Sequence, residues 1–174
     1  MTGGGITTPV SSFEEAGTPT SLSRRPAQRR MTLRAHAQRD QRDIDGLWLF
    51  DDCSARQRRA VAQLGTRLQV PAGRRLLVQD TRGSEVILVL SGSAVCSVDG
   101  TVVAVFAAGD FFGEIAALDG KRRTATVTAL TDMAVVVFDG HEFEQLLAVS
   151  PKLAMRILKV AARRLRSAND LVAV

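Results

Sequence analysis

Residues 109–129 read GDFFGEIAALDGKRRTATVTA, and their chemistry is that of an anion seat. Gly113 lets the backbone come close to a bound group. The turn after it (Glu114, Ile115, Ala116, Ala117) can aim free N–H groups at an anion, as helix N-termini do. A loop then leads to Arg122 and Arg123, and an arginine arriving from the far side adds charge and a fork of donors. Glu114 has the opposite use. A carboxylate only accepts hydrogen bonds, most naturally here from a hydroxyl. A nucleotide brings both a phosphate and a hydroxyl to one place, and that is the ligand this pairing points to.

On either side of this stretch the chain reads as short strands. Runs at 68–70, 75–79, 85–90, 94–98, 102–106, 125–130 and 133–138 are rich in Val, Leu and Thr. Turn signals separate them at Pro71-Ala72-Gly73, Ser91-Gly92, Asp99-Gly100 and Ala108-Gly109-Asp110. Asp99-Gly100 between β-branched runs predicts a hairpin. Many short strands at close spacing predict a sandwich or roll of roughly eight antiparallel strands over about residues 66–138, in place of a parallel sheet. Ser54 with Gln57 predicts a capped helix ending near Gly65. Asp139 with Glu142 predicts a second, and Ser150-Pro151 opens a third.

The stretch resembles the phosphate-binding cassette of cyclic nucleotide-binding domains, whose pattern is roughly F-G-E-[ILM]-A-L, a loop, then R-[AST]-A-[TS]-V. The elements are present in order, with Ala117 where the pattern has Leu, and nine positions separate Glu114 from Arg123. The resemblance covers about residues 47 to 170. It implies a mainly β fold with flanking α-helices: an antiparallel double-stranded β-helix, a jelly-roll-like β-roll, with an N-terminal helix and C-terminal helices. It implies that Glu114 accepts from the ribose 2′-hydroxyl and that Arg123 pairs with the cyclic phosphate. Gly113, Ile115, Ala116, Thr124 and Ala125 complete the ligand-binding set. In the bacterial receptors of this family an A-R-R-L element, here Ala162 to Leu165, precedes polar residues laid over the base. That points to Asn169, while Ala168 departs from the polar residue usual there.

The rest of the chain bounds the reading. Of 174 residues, 45% are hydrophobic, enough for one packed domain. Residues 1–43 hold seven arginines against four acids, and 44–174 hold sixteen basic against fourteen acidic groups, so the net +5 divides as +3 and +2. A globular part this balanced is no nucleic-acid binder by charge alone. Residues 1–43 are expected to be a disordered basic tail and 44–174 the folded domain; Met31 is an alternative start. With no apolar run of about 18–20 residues and no secretory signal, a cytoplasmic protein without a membrane span is expected. Cys53 and Cys96 lack metal or redox spacing and read as reduced structural thiols.

The last helix carries Ala154, Leu158, Ala161, Leu165, Ala168 and Val172 at coiled-coil spacing. That stripe packs on its own domain, or forms the seam of a homodimer as the resemblance suggests. The chain ends within this helix, so no DNA-binding domain is expected. The two histidines supply no metal cluster, and no nucleophile–base pair stands out. The expectation is a non-enzymatic sensor with no cofactor, whose ligand is a cyclic nucleotide and whose partner is an unidentified effector. Thr124 is a position where a hydroxyl tends to accompany cyclic GMP, yet members with the same R-T-A take cyclic AMP, and cyclic AMP is the reading taken. The alternative is a ligand-independent scaffold domain that keeps the fold.

Overall fold

The computed structural model describes residues 44–172, with side chains to Ser167. The expected tail at 1–43 lies outside the described residues. Eight strands form two four-stranded antiparallel sheets. They are β1 (Thr66–Val70), β2 (Arg75–Leu77), β3 (Val86–Ser91), β4 (Ala94–Val98), β5 (Thr101–Phe106), β6 (Phe111–Phe112), β7 (Thr126–Ala129) and β8 (Met133–Phe138). One sheet runs β1-β8-β3-β6 and the other β2-β7-β4-β5. A 3-10 turn (Trp48–Phe50) and four α-helices flank them: α1 (Ala55–Ala62), α2 (Glu114–Asp119), α3 (Gly140–Val149) and α4 (Pro151–Val172). This is the expected jelly-roll architecture.

The register explains why β3 and β8 are apolar almost throughout. In β3, Val86 and Leu88 face the helices, where they pack with Phe50, Phe143, Leu146, Leu153 and Ile157. Ile87 and Val89 face the second sheet and pack with Ala94, Cys96, Phe112 and Val127. β8 divides likewise, with Val136 and Phe138 toward the helices and Met133 and Val135 toward the other sheet. A period of two residues with both faces covered gives a continuous apolar run. Phe111 and Phe112 divide their rings between the two clusters in the same way.

Local signals hold where they are strongest. Asp99 and Gly100 both take positive φ, 49° and 80°, as the predicted two-residue hairpin requires, and β4 pairs with β5 across them. Both predicted capping boxes form, Ser54 with Gln57 and Asp139 with Glu142. The first helix ends at Ala62, short of Gly65.

The long helix corrects the expected stripe. α4 buries Leu153, Ile157, Val160 and Ala161, so the packed face is displaced from the expected one and shares only Ala161 with it. Leu158 and Leu165 stay 44% and 45% exposed, and Met155 is also exposed. Ala168 and Val172 lie beyond the described side chains. No helix among the described residues is long and apolar enough to cross a membrane.

Candidate functional site

β6 delivers the chain to Gly113, which takes φ 90° and starts α2 without a side-chain cap. Only glycine fits there. A Cβ would lie 2.5 Å from the Glu85 carbonyl oxygen and 2.9 Å from Arg123 Nη1. Gly113→Ala is therefore expected to cost roughly 1–3 kcal/mol of stability from the backbone conformation alone, and to push the Arg123 guanidinium out of place. Thermal melts and a ligand titration of this variant check both effects.

α2 is one and a half turns long and closes on Gly120, again left-handed at φ 67°. The loop then returns beside the turn before β3. The Arg123 amide donates to Thr81 O, and the Asp80 amide donates to Arg123 O, both at 2.9 Å. This pairing sends the Arg123 side chain inward, where it is 4% exposed. Its Nη1 donates to the Gly113 carbonyl at 3.0 Å and its Nη2 to Glu85 Oε2 at 2.8 Å. Gly83 completes the cradle, since a Cβ there would lie 2.8 Å from Nη2. Burial pushes the guanidinium below its ordinary pKa, and the Glu85 carboxylate opposes that shift. A buried cation is costly unless paired, and the carboxylate that steadies this one is itself half in solvent.

Glu114, the first residue of α2, is 2% exposed. Its Oε1 accepts from Arg164 Nη1 of α4 at 2.7 Å. The same nitrogen donates to the Phe111 carbonyl at 2.5 Å. The Arg164 guanidinium lies 4.8 Å from the Phe106 ring centroid and 5.0 Å from that of Phe111, a cation–π contact with both. One arginine thus ties α4 to α2, β5 and β6 together. Cys96, on the inward face of β4, senses both charges. Burial pushes its thiol above the usual value, Arg164 opposes this, and Glu114 adds to it.

The expected set therefore converges in part. Gly113, Glu114, Ala116 and Arg123 meet at the junction of β6 and α2, with Ile115 half-buried beside them. Thr124 is exposed and Ala125 packs at the edge of the inter-sheet core. The Asn169 side chain lies outside the described residues. Two participants were not in the expected set, Glu85 and Arg164. Glu85 carries no motif. Arg164 does carry a signal: it follows Ile157 and Ala161 by helical steps of four and three, so an arginine stands on the buried face of α4 and needs a buried partner.

Comparison with known proteins agrees with this geometry. The family model described as the cyclic nucleotide-binding domain matches residues 67–150. A Pycsar effector protein of Xanthomonas perforans is 33% identical over 110 residues, covering 63% of this chain and 36% of the relative. A CRP-like cAMP-activated global transcriptional regulator of Mycobacterium tuberculosis is 28% identical over 119 residues, covering 64% and 53%. The chain thus spans between a third and about a half of the length of these relatives. The catabolite activator protein of Thermus thermophilus superposes with a TM-score of 0.63 at 26% identity, covering 72% of this chain and 62% of that one. The cassette, the roll that holds it and the matched sequence agree: residues 67–150 of this chain match the model of the cyclic nucleotide-binding domain family.

Proposed function

We propose that this domain senses a cyclic nucleotide, with cyclic AMP the preferred ligand, and passes the binding event on through α4. One observation carries the reading. Among the described residues, only two charged side chains are buried, Glu114 and Arg123, and both belong to the cassette. One is a pure acceptor and the other a pure donor. Each has a single ion-pair partner among the described residues that is itself partly exposed, Arg164 and Glu85, and a ligand with matching groups would satisfy the donors and acceptors those partners leave open.

In this reading Arg123 pairs with the cyclic phosphate, helped by the uncapped first turn of α2 at Ile115 and Ala116 and by the Thr124 hydroxyl. Glu114 accepts from the ribose hydroxyl through the oxygen that Arg164 leaves free. Gly113 holds the turn open, Ala125 forms a wall, and the family resemblance assigns Asn169 to the base. Cyclic AMP is favoured because the Mycobacterium tuberculosis relative is named as activated by it. The role is binding and not catalysis, since the Glu114 partner is a cation and no base. The outlet is α4, whose exposed Met155, Leu158 and Leu165 offer a face to an effector or to a second copy of the chain. The buried free thiols of Cys53 and Cys96 suit a cytoplasmic setting.

Calorimetric titration with cyclic AMP, cyclic GMP and 2′-deoxy cyclic AMP tests this. Cyclic AMP should bind tightest. The deoxy form should lose about 1.5–3 kcal/mol, the worth of a hydrogen bond to a charged group, or roughly ten- to over a hundred-fold. Identical titrations of the ribose and deoxyribose forms would show Glu114 to be structural. No binding by any of the three would favour the scaffold reading.

A further inference from the structure

A cleft opens on the outer side of the cassette loop, lined mostly by residues with no part in the chemistry above. It lies between the turn at Asp80 and Arg82 and the loop 119–124, with a volume of about 540 Å³, a size that suits a small organic ligand. Gly113, Glu114, Ile115 and Ala116 do not line it; it shares only Arg123 and Thr124 with the nucleotide site.

We infer that this cleft binds the phosphate monoester of a small polyhydroxyl compound, of the sugar phosphate class. Arg82 and Arg122 stand directly opposite each other in an isolated antiparallel bridge. Residues so placed project from the same face with their Cβ atoms roughly 5 Å apart, and like charges there destabilise the pair. Lys121 adds a third cation to the same opening, and all three side chains are exposed. Arg122 Nη1 donates to the Asp80 carbonyl at 2.5 Å, which steadies the guanidinium and leaves its other donors free. Among the described residues the side chains of Arg82 and Lys121 have no hydrogen bond and no ion pair.

Two carboxylates line the cleft as well, those of Asp80 and Asp119, yet neither forms an ion pair with any of the three cations. The Asp119 carboxylate turns instead to the Lys121 amide at 3.0 Å. Only solvent and salt therefore screen these exposed cations from one another. A phosphate monoester, nearly dianionic at neutral pH, matches two guanidinium forks and an ammonium. Carboxylates would repel a bare anion but accept from hydroxyls. A compact ligand bearing one phosphate and several hydroxyls satisfies both sets of groups.

The test uses the full chain, with glucose 6-phosphate and inorganic phosphate as probes at matched ionic strength. Calorimetry should show saturable binding of both, with glucose 6-phosphate at least several-fold tighter. The double variant Arg82→Ala/Lys121→Ala should bind glucose 6-phosphate at least ten-fold more weakly while its cyclic AMP titration stays within about three-fold. Both substituted side chains are exposed and unpartnered, so the variant should fold. No saturable binding, or binding that survives in the double variant, overturns the proposal. Equal affinity for the two probes overturns its polyhydroxyl part. Loss of cyclic AMP binding in the double variant would show the cleft to be part of the cassette.

Discussion

Arg123→Ala is expected to weaken cyclic-nucleotide binding roughly thirty- to several-thousand-fold. The figure comes from truncating one partner of a buried, hydrogen-bonded charge pair, about 2–5 kcal/mol, at ~1.4 kcal/mol per decade. Arg123 is almost wholly buried, is aimed by Gly83 and Gly113, and is ion-paired to Glu85. The phosphate would therefore meet an oriented donor fork in a low dielectric, where its worth is greatest. The fold should survive, because the carboxylate left behind is 53% exposed and can hydrate. Arg122→Ala is the control. That side chain is exposed and donates to the Asp80 carbonyl, so its removal should change affinity by less than about three-fold. Comparable losses from the two variants would mean diffuse electrostatics and no phosphate site.

How much of this was legible in the chain depends on the range of each signal. The cassette, the hairpin at Asp99-Gly100 and both capping boxes are local, and each could be read from a few adjacent residues. β6 was missed because two residues carry no period, and Phe111-Phe112 read as the lead-in to Gly113. The face of α4 was misplaced for a different reason. Coiled-coil spacing fits Ala154, Leu158 and Leu165 as well as it fits Leu153, Ile157 and Val160, and only the groove between the roll and α3 decides which stripe is buried. Glu85 could not be found at all. Its partner is 38 residues away, and nothing beside it marks a strand-end carboxylate as a clamp. Arg164 lay within reach, since a charge on the apolar face of a helix implies a distant partner of opposite sign.

That distant pairing carries the second large effect. Arg164→Leu should destabilise the fold by about 2–4 kcal/mol, toward the lower side of the usual figure for stranding one member of a buried pair, because the Arg164 side chain is itself 24% exposed. Leucine can still pack on the rings of Phe106 and Phe111, so the loss isolates the charge left on Glu114. A denaturant melt gives the magnitude. The more telling measurement is the double-mutant cycle with Glu114→Gln. If the two side chains act as one link between α2 and α4, the double variant should recover at least about 1 kcal/mol relative to the sum of the singles. Hydrogen exchange in α4 should rise in Arg164→Leu and fall back in the double variant, since a neutral amide no longer demands a counter-charge. The link also decides how a signal could travel. A ligand hydroxyl on Glu114 acts on the same carboxylate that Arg164 holds, so it can change the docking of α4 only through this pair or through direct contact with the helix. Additive single effects, with exchange in α4 unchanged, would remove the pair as the route and leave direct contact alone.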